Sequence, residues 1–510
     1  MKKILPYPIV LLFSLLLLLP VVKGKPRFYQ DATHRDARIS SPFELTNTTS
    51  RYLLTEAIVK NHTLFFSTTE AKFSAPDVVD YKGRFFSIFA PGVSFIGIPF
   101  YYIGSLLKIP QLLTFFSMSL FALVDVFLIA LLSQRLGATR FAGLLSGAIF
   151  LFATNVLSYS QTFTQHLISV ALILTFILIV SPLKKSSLNY FFLGLIIAFA
   201  ALVDIPNIIL IFPALISLFI QSFQFIFNNF RVKVKINLAS ILIIIGLLPG
   251  IVTFAWYNFA TTGSYTKLAQ FIGRTHYFRD NLPIQDPAES TQSLDPTAVK
   301  SESSISLPFD TRLLLDGFYT LLISNERSWL YYSPVVLLGL LSFLTIRNPY
   351  TRANKLLILC MATVSLNILI YAMFGDPWGG WAFGPRYLIP AAAILTSGVG
   401  VFITRFGHRF FPATVFLILL VYSIYINSLG VLTTNAIPPR QEAIHFTPRL
   451  PYTYEYNEQL VNKNQSSSLL YNAIFSGELK LRHYLLIYSS VVSLFVISLY
   501  AIALKNRQHV

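Results

Sequence analysis

Long apolar runs separated by short polar segments occupy most of this chain. The first run, from Ile4 to Val22, follows two lysines, and eleven more runs lie between residues 111 and 504. About 20 consecutive apolar residues cross the hydrocarbon core of a bilayer as one helix. The pattern therefore predicts an all-α polytopic membrane protein with about twelve transmembrane helices. These helices are expected at 4–22, 111–133, 141–157, 166–182, 189–204, 207–222, 236–256, 331–346, 355–374, 387–404, 411–430 and 484–504.

The first run is expected to persist as an anchor that comprises residues 1–23. A secretory signal peptide is the alternative, but the apolar stretch is longer than a typical signal core. Residues 19–23 read LPVVK and lack the small residues that precede a cleavage site.

Basic residues indicate which side of the membrane each loop occupies. The segments after residues 133, 182, 230, 346 and 404, and the carboxy-terminal tail, all contain Lys or Arg. Cytoplasmic loops show this excess, so we predict that both termini are cytoplasmic and that the protein lies in the plasma membrane. Three long segments then lie on the outer face, at 24–110, 257–330 and 431–483. They alternate with the helical regions 111–256, 331–430 and 484–510.

Two parts of the outer segments have distinctive patterns. Residues 90–108 are apolar enough to cross the membrane, but a span there would reverse the charge pattern of the following loops, so we predict an interfacial helix. An ordinary span is the alternative. Residues 280–308 are rich in Pro, Ser and acidic residues and are interpreted as a lid over a site.

Composition and charge exclude several functions. The chain is 54% hydrophobic and 12% charged, and its mean hydropathy is +0.63, so most of its surface must face lipid. A net charge of +17 would suggest nucleic acid in a soluble protein, but the basic residues here follow the membrane topology. We therefore expect no nucleic-acid partner. The single cysteine, Cys360, excludes an internal disulfide.

The first candidate catalytic site is a short run of charged residues in the first outer segment. Asp77, Asp80, Lys82 and Arg84 fall within eight residues of one another. A carboxylate beside a cation at the mouth of a membrane cavity suits a proton acceptor next to a phosphate site. Surface ion pairs in a solvated turn are the alternative.

The second candidate is the outer motif at 375–386, which reads GDPWGGWAFGPR. Its four glycines permit close approach of backbone to a ligand. Trp378 and Trp381 offer flat faces for a sugar or for the membrane interface. Arg386 begins the next apolar run, where it could bind a phosphate, and Asp376 completes this candidate donor-binding set.

Two further residues of the outer face, His166 and Arg327, are candidates for binding an anionic donor. The histidines show no metal-binding spacing, so no metal ligands are predicted, although a carboxylate–phosphate site could recruit a divalent cation. Asp125 lies in the middle of an apolar run, where an acid is costly. It supports the alternative of a transporter, flippase or non-catalytic lipid-binding protein.

The order of several motifs resembles the GT-C superfamily of membrane glycosyltransferases. It is most similar to the family 39 branch, which contains protein O-mannosyltransferases and lipid A aminoarabinose transferases. The pieces that carry the resemblance are SRYLLTEAIVKNHTL at 50–64, DYKGRFFSIFAPGVSFIGIPFY at 80–101, YNFATTGSYTK at 257–267, SNERSWLYYSPVVLLG at 324–339 and GGWAFGPRYLIP at 379–390.

This resemblance implies a transferase that takes a sugar from a polyprenyl-phosphate donor on the non-cytoplasmic face. It implies membrane lipid and a lipid-linked sugar as partners. The branch places an acidic pair before its Arg-Tyr position, whereas this chain has Thr48, Thr49 and Ser50 before Arg51, and no acid nearer than Glu44. The carboxylate role then passes to Asp80, or alternatively to Asp77.

Overall fold

The structure is a computed structural model that describes residues 6–24, 42–181, 186–228, 231–275, 277–279, 282–284, 309–345, 348 and 350–507. Most of the predicted lid at 280–308 lies outside these residues, as does the basic segment 182–185.

Up to residue 284, the described residues form helices and three short hairpins. Its helices are α1 (Pro6–Leu18), α2 (Thr46–Lys60), α3 (Thr68–Ser74), α4 (Gly92–Leu106), α5 (Pro110–Arg135), α6 (Arg140–Phe152), α7 (Val156–Tyr159), α8 (His166–Val180), α9 (Ser187–Val203), α10 (Pro206–Leu210), α11 (Phe212–Ser222) and α12 (Leu242–Thr262). The antiparallel hairpins pair β1 (Val78–Tyr81) with β2 (Arg84–Ser87), β3 (Phe223–Asn228) with β4 (Arg231–Ile236), and β5 (Tyr277–Arg279) with β6 (Leu282–Ile284).

The second half continues with helices of mixed length. They are α13 (Leu314–Phe318), α14 (Trp329–Tyr332), α15 (Arg352–Ala372), α16 (Ile389–Phe406), α17 (Phe410–Leu432), α18 (Arg440–Ala443), α19 (Glu455–Asn462) and α20 (Leu481–Arg507). A 3₁₀ helix occupies Pro334–Thr345, and a single 3₁₀ turn, Arg386–Leu388, leads into α16.

The prediction of an all-α membrane protein is confirmed. Each of the twelve predicted spans contains a helix. Six helices are long and apolar enough to cross a bilayer, at Pro110–Arg135, Leu238–Thr262, Arg352–Ala372, Arg386–Phe406, Phe410–Leu432 and Leu481–Asn506. The other apolar helices among the described residues are shorter, so the number of spans stays a prediction. A helix also forms within 90–108, as predicted, at Gly92–Leu106.

The helices divide into a buried centre and a lipid-facing edge. Every residue of α16 from Ile389 to Ile403 is buried, because this helix packs against α5, α6 and α8. At the edge, α12 leaves Ile244 and Val252 more than 60% exposed. A bilayer supplies the apolar surroundings that such an exposed face requires.

Small residues allow α9 and α12 to cross closely. A Cβ atom on Gly194 would lie 2.0 Å from the carbonyl oxygen of Ile243, and one on Gly246 would lie 2.0 Å from that of Phe191. Such close approach of backbones through glycine is common in membrane helix pairs. These contacts hold α9 against α12, and α9 ends at Val203, directly before Asp204.

The first outer segment is packed into the molecule. Residues 48–55 of α2 are all buried, because this helix is covered by α3, α4 and β2. Several polar side chains of α2 are therefore buried in the interior of the protein.

Candidate functional site

Charged side chains from separate elements of the fold converge at one place in the structure. Arg51 comes from α2, Asp77 directly precedes β1, Asp204 follows α9, and Arg386 opens the turn into α16. Arg51 interacts electrostatically with the other three. We call these four residues the charged cluster.

Arg51 is the most enclosed member of the charged cluster. The residue is 2% exposed, and its guanidinium carbon lies 3.8 Å from the centre of the Phe89 ring. Its Nη1 donates to the carbonyl oxygen of Asn47 at 3.0 Å, while its Nε has no partner among the described residues. Burial lowers the pKa of Arg51 to about 10, although Asp204 and Asp77 oppose this shift.

Asp77 is buried, and each of its two carboxylate oxygens has a partner. Its Oδ2 accepts a hydrogen bond from the Thr46 hydroxyl at 2.7 Å. Its Oδ1 lies 3.6 Å from Nη2 of Arg274, whose side chain is 52% exposed. The carboxylate therefore has a fixed orientation, and the one ion pair it forms within the described chain can open towards solvent.

Asp204 is a second carboxylate of the charged cluster, and the candidate residues chosen from the sequence do not include it. It is half-buried, and Oδ2 accepts a hydrogen bond from Nε2 of Gln165 at 3.3 Å. Burial raises its pKa to about 6, against the opposing effect of Arg51 and the Gln165 hydrogen bond. In the sequence, Asp204 stands out only as an acid directly after an apolar run. Many ordinary helix ends have the same pattern, so the sequence did not identify it as a site residue.

Arg386 begins the turn into α16 and lies against the Gly379 backbone of the outer motif. Its guanidinium carbon is 5.2 Å from the centre of the Tyr387 ring, and that ring stacks on Tyr371 at 4.5 Å. Nε of Arg386 has no hydrogen-bond partner in the described part of the chain. This arginine therefore keeps a donor that an anion could use.

His166 adds a third polar group beside the two arginines. It begins α8, is 5% exposed, and meets the Tyr159 ring edge-on at 5.3 Å. It interacts electrostatically with Arg386 and Arg51. These interactions place this sequence candidate beside the charged cluster. Its Nε2 forms no hydrogen bond to any described residue.

Arg327 has a different role from the phosphate contact suggested by the sequence. It is 0% exposed, and its five N–H groups point to five backbone carbonyls. The acceptors are the carbonyl oxygens of Trp378, Glu326, Tyr452, Gly380 and Ile437. A guanidinium has five donors, so none is left to bind a phosphate.

The remaining motif residues contribute structure around Arg386. Asp376 accepts a hydrogen bond from the Gly380 amide at 3.0 Å. Trp378 is half-buried, and Nε1 of Trp381 donates to Oε2 of Glu442 at 2.6 Å. Both indoles are therefore partly accessible rather than enclosed in the core.

Asp80 and Arg84 lie in the β1–β2 hairpin. Oδ1 of Asp80 accepts a hydrogen bond from the Gly83 amide at 3.1 Å, which closes the turn. Arg84 is exposed, with its guanidinium carbon 5.1 Å from the centre of the Phe65 ring. No contact joins either residue to Arg51 or Arg386 among the interactions of the described chain.

A small cleft adjoins the charged cluster on its lipid side. It is lined by Ile88, Phe89, Ala90, Phe254, Tyr257, Asn258, Leu268, Ala269 and Gln270. Phe89, which contacts Arg51, forms part of its wall. The cleft thus lies between a buried cation and the lipid-facing helix α12.

The described residues contain no group of three or more His, Cys, Asp or Glu side chains placed to hold a metal ion. The chemistry that they offer is ionic. Two arginines with free donors lie near two carboxylates, an arrangement that suits an anionic group beside a proton acceptor.

Three solved structures are similar to this chain. The oligosaccharyltransferase of Archaeoglobus fulgidus in its apo form matches with 12% identity and a TM-score of 0.47, over 85% of this chain and 57% of that one. ArnT from Cupriavidus metallidurans matches in its apo state with 13% identity and a TM-score of 0.46, over 99% of this chain and 76% of ArnT. The same protein bound to undecaprenyl phosphate gives 14% identity and a TM-score of 0.44, over the same shares.

Both proteins are GT-C glycosyltransferases. This chain spans little more than half the length of the archaeal protein. No family model and no curated protein matches the sequence.

Proposed function

We propose that this protein is a plasma-membrane glycosyltransferase that takes a sugar from a polyprenyl-phosphate donor on the non-cytoplasmic face. The observation that carries the proposal is the pair of arginines, Arg51 and Arg386, whose Nε groups have no described partner. A buried, unpartnered donor is costly unless a ligand satisfies it. Two interacting cations suit the phosphate of a lipid carrier.

In this reaction an acceptor hydroxyl oxygen attacks the anomeric carbon of the sugar. The bond from that carbon to the phosphate oxygen breaks, and the carrier phosphate leaves with the electron pair. Arg51 and Arg386 stabilise the charge that develops on this phosphate. The acceptor proton passes to a carboxylate, and the anomeric configuration inverts.

Asp77 is the carboxylate best placed to accept that proton. It interacts electrostatically with Arg51, whereas Asp80 is held by its own turn. A general base of this kind contributes about 10²–10⁴-fold to the rate. His166 and Asp204 also interact electrostatically with Arg51, and Asp376 interacts with Arg386.

The first test is transfer by the purified protein in lipid nanodiscs. A panel of polyprenyl-phosphate sugars is added, and release of the carrier is followed by mass spectrometry. We expect release from one donor, a loss of about 10²-fold or more in Asp77→Asn, and near-normal release in the control Asp80→Asn. Equal activity of Asp77→Asn and wild type would contradict the assignment of the base.

A transporter or flippase is the second candidate, and Asp125 is the observation that favours it. This acid is fully buried in α5, and neither carboxylate oxygen has a partner among the described residues. A transport function predicts that Asp125→Asn abolishes activity, whereas Asp77→Asn leaves it intact. The transferase predicts the opposite pattern.

A further inference from the structure

The backbone at Gly379 forms one wall around Arg386. A Cβ atom on Gly379 would lie 2.8 Å from Nε of Arg386 and 3.3 Å from Cε2 of Tyr387. The residue also has a positive φ of 74°, which side chains rarely adopt. The position of this peptide therefore limits where the Arg386 guanidinium can lie.

Arg327 forms hydrogen bonds to the backbone on both sides of Gly379. Its Nε donates to the carbonyl oxygen of Trp378 at 3.1 Å, and its Nη2 donates to that of Gly380 at 3.4 Å. These two carbonyls flank Gly379 in the chain. One guanidinium thus fixes both ends of the segment that contacts Arg386.

The other bonds of Arg327 join this segment to distant parts of the outer face. Nη2 donates to the carbonyl oxygen of Ile437 at 2.9 Å, and Nη1 donates to that of Tyr452 at 3.3 Å. The Ala382 amide also donates to the Ile437 carbonyl, at 3.0 Å. The outer segment after α17 therefore supports the motif through Arg327.

We propose that Arg327 is a positioning residue that sets the affinity for the donor phosphate by fixing the Gly379 peptide against Arg386. This inference rests on the proposed function, because it assumes that Arg386 binds the phosphate. Arg327 itself contacts no substrate. A lysine is a single ammonium with three donors and lacks the planar fork that reaches several carbonyls at once, so it does not replace Arg327.

The test measures carrier binding separately from transfer. Polyprenyl phosphate without a sugar is titrated onto the nanodisc-embedded protein, and donor KM and kcat are measured with the active sugar donor. We expect Arg327→Lys and Gly379→Ala each to raise the carrier Kd and donor KM by about ten- to hundredfold. kcat at saturating donor should fall as well, because a displaced Arg386 stabilises the departing phosphate less well, so the carrier Kd is the deciding measurement.

Gly263→Ala is the matched control. Gly263 also has a positive φ, 76°, but no atom lies within 4 Å of an added Cβ there. This variant carries similar backbone strain without contacting Arg386, so we expect it to bind the carrier like the wild type.

A double variant, Arg327→Lys with Gly379→Ala, completes the design. Because both changes displace the same guanidinium, their effects on the Kd should fall well short of additive. The inference is overturned if Gly379→Ala, shown to be folded by its melting temperature, binds the carrier as wild type does. Wild-type protein that binds no carrier would instead refute the proposed function, and this inference with it.

Discussion

At the scale of single residues, the charged cluster depends on how its four members share charge. Arg51 lies between two carboxylates, yet no described ion pair within 4.0 Å joins it to either of them. The guanidinium therefore keeps its charge without a fixed counter-ion. An anionic ligand would compete with Asp77 and Asp204 for this cation.

Asp204 makes this competition depend on pH. Arg51, Gln165 and Tyr371 are its charged, hydrogen-bonding and titratable neighbours among the described residues. Its pKa of about 6 leaves it mostly protonated below that pH and anionic above it. As the pH rises from 5 to 7.5, we expect donor affinity to fall by about tenfold, because the ionised carboxylate competes for Arg51. A fall of that size corresponds to a difference of about one unit in the Asp204 pKa between the free and the donor-bound protein.

The measurement is the Kd of the sugar-linked donor, a phosphodiester with no titration in this range. Asp204→Asn should bind tightly across the range, with no dependence on pH. Gln165→Ala serves as a control, because it removes the hydrogen bond but keeps the titrating acid. A pH dependence that persists in Asp204→Asn would show that another group causes it.

At the scale of elements, the α9–α12 crossing determines where Asp204 lies. A Cβ atom added at Gly194 would lie 2.0 Å from the Ile243 carbonyl oxygen, and Asp204 follows the end of α9 directly. A larger side chain at the crossing would force the helices apart and move this carboxylate.

Gly194→Leu should therefore reduce both stability and donor binding. Overpacking a close contact costs about 1–3 kcal/mol, which a fluorescence-monitored thermal melt in detergent would detect as a lower melting temperature. Gly477→Leu is the control, since no atom lies within 4 Å of an added Cβ there. An unchanged melting temperature in Gly194→Leu would mean that the two helices are free to separate.

At the scale of the whole molecule, a buried ion pair connects the region after the amino-terminal helix with the outer segments 24–110 and 431–483. Lys23, just beyond the amino-terminal helix, pairs with Glu44, and both side chains are at most 3% exposed. Glu44 also accepts hydrogen bonds from the Thr434 hydroxyl and the Asn435 amide. The Gly24 amide donates to the Ser467 carbonyl oxygen at 3.0 Å.

Breaking this pair from one side should be costly. Glu44→Ala leaves an unpaired buried cation, so we expect a loss of about 3–5 kcal/mol in the free energy of unfolding. The double change Lys23→Met with Glu44→Leu should recover much of the loss. Lys60→Ala, which removes a largely exposed partner of Glu56, should change stability by less than about 1 kcal/mol. Similar results for Glu44→Ala and Lys60→Ala would contradict a structural role for the buried pair.

The sequence by itself determined the membrane class and the positions of the helices. Apolar runs of this length are stable in lipid only when their backbone groups bond within the segment, so a run such as 387–404 predicts its own helix. Local pattern also singled out Asp77, His166 and Arg386, which the structure places near one another. Each of these predictions depends on residues that are neighbours in the chain.

Only the tertiary structure decided which charged side chains meet. Arg51 and Arg386 are far apart in sequence, and Asp204 looked like an ordinary helix end until the α9–α12 crossing placed it near Arg51. Arg327 looked like a phosphate ligand, but its five donors are used by carbonyls from the outer face. Hydropathy is a local property of the chain, whereas the partner of a buried charge is set by packing between distant segments.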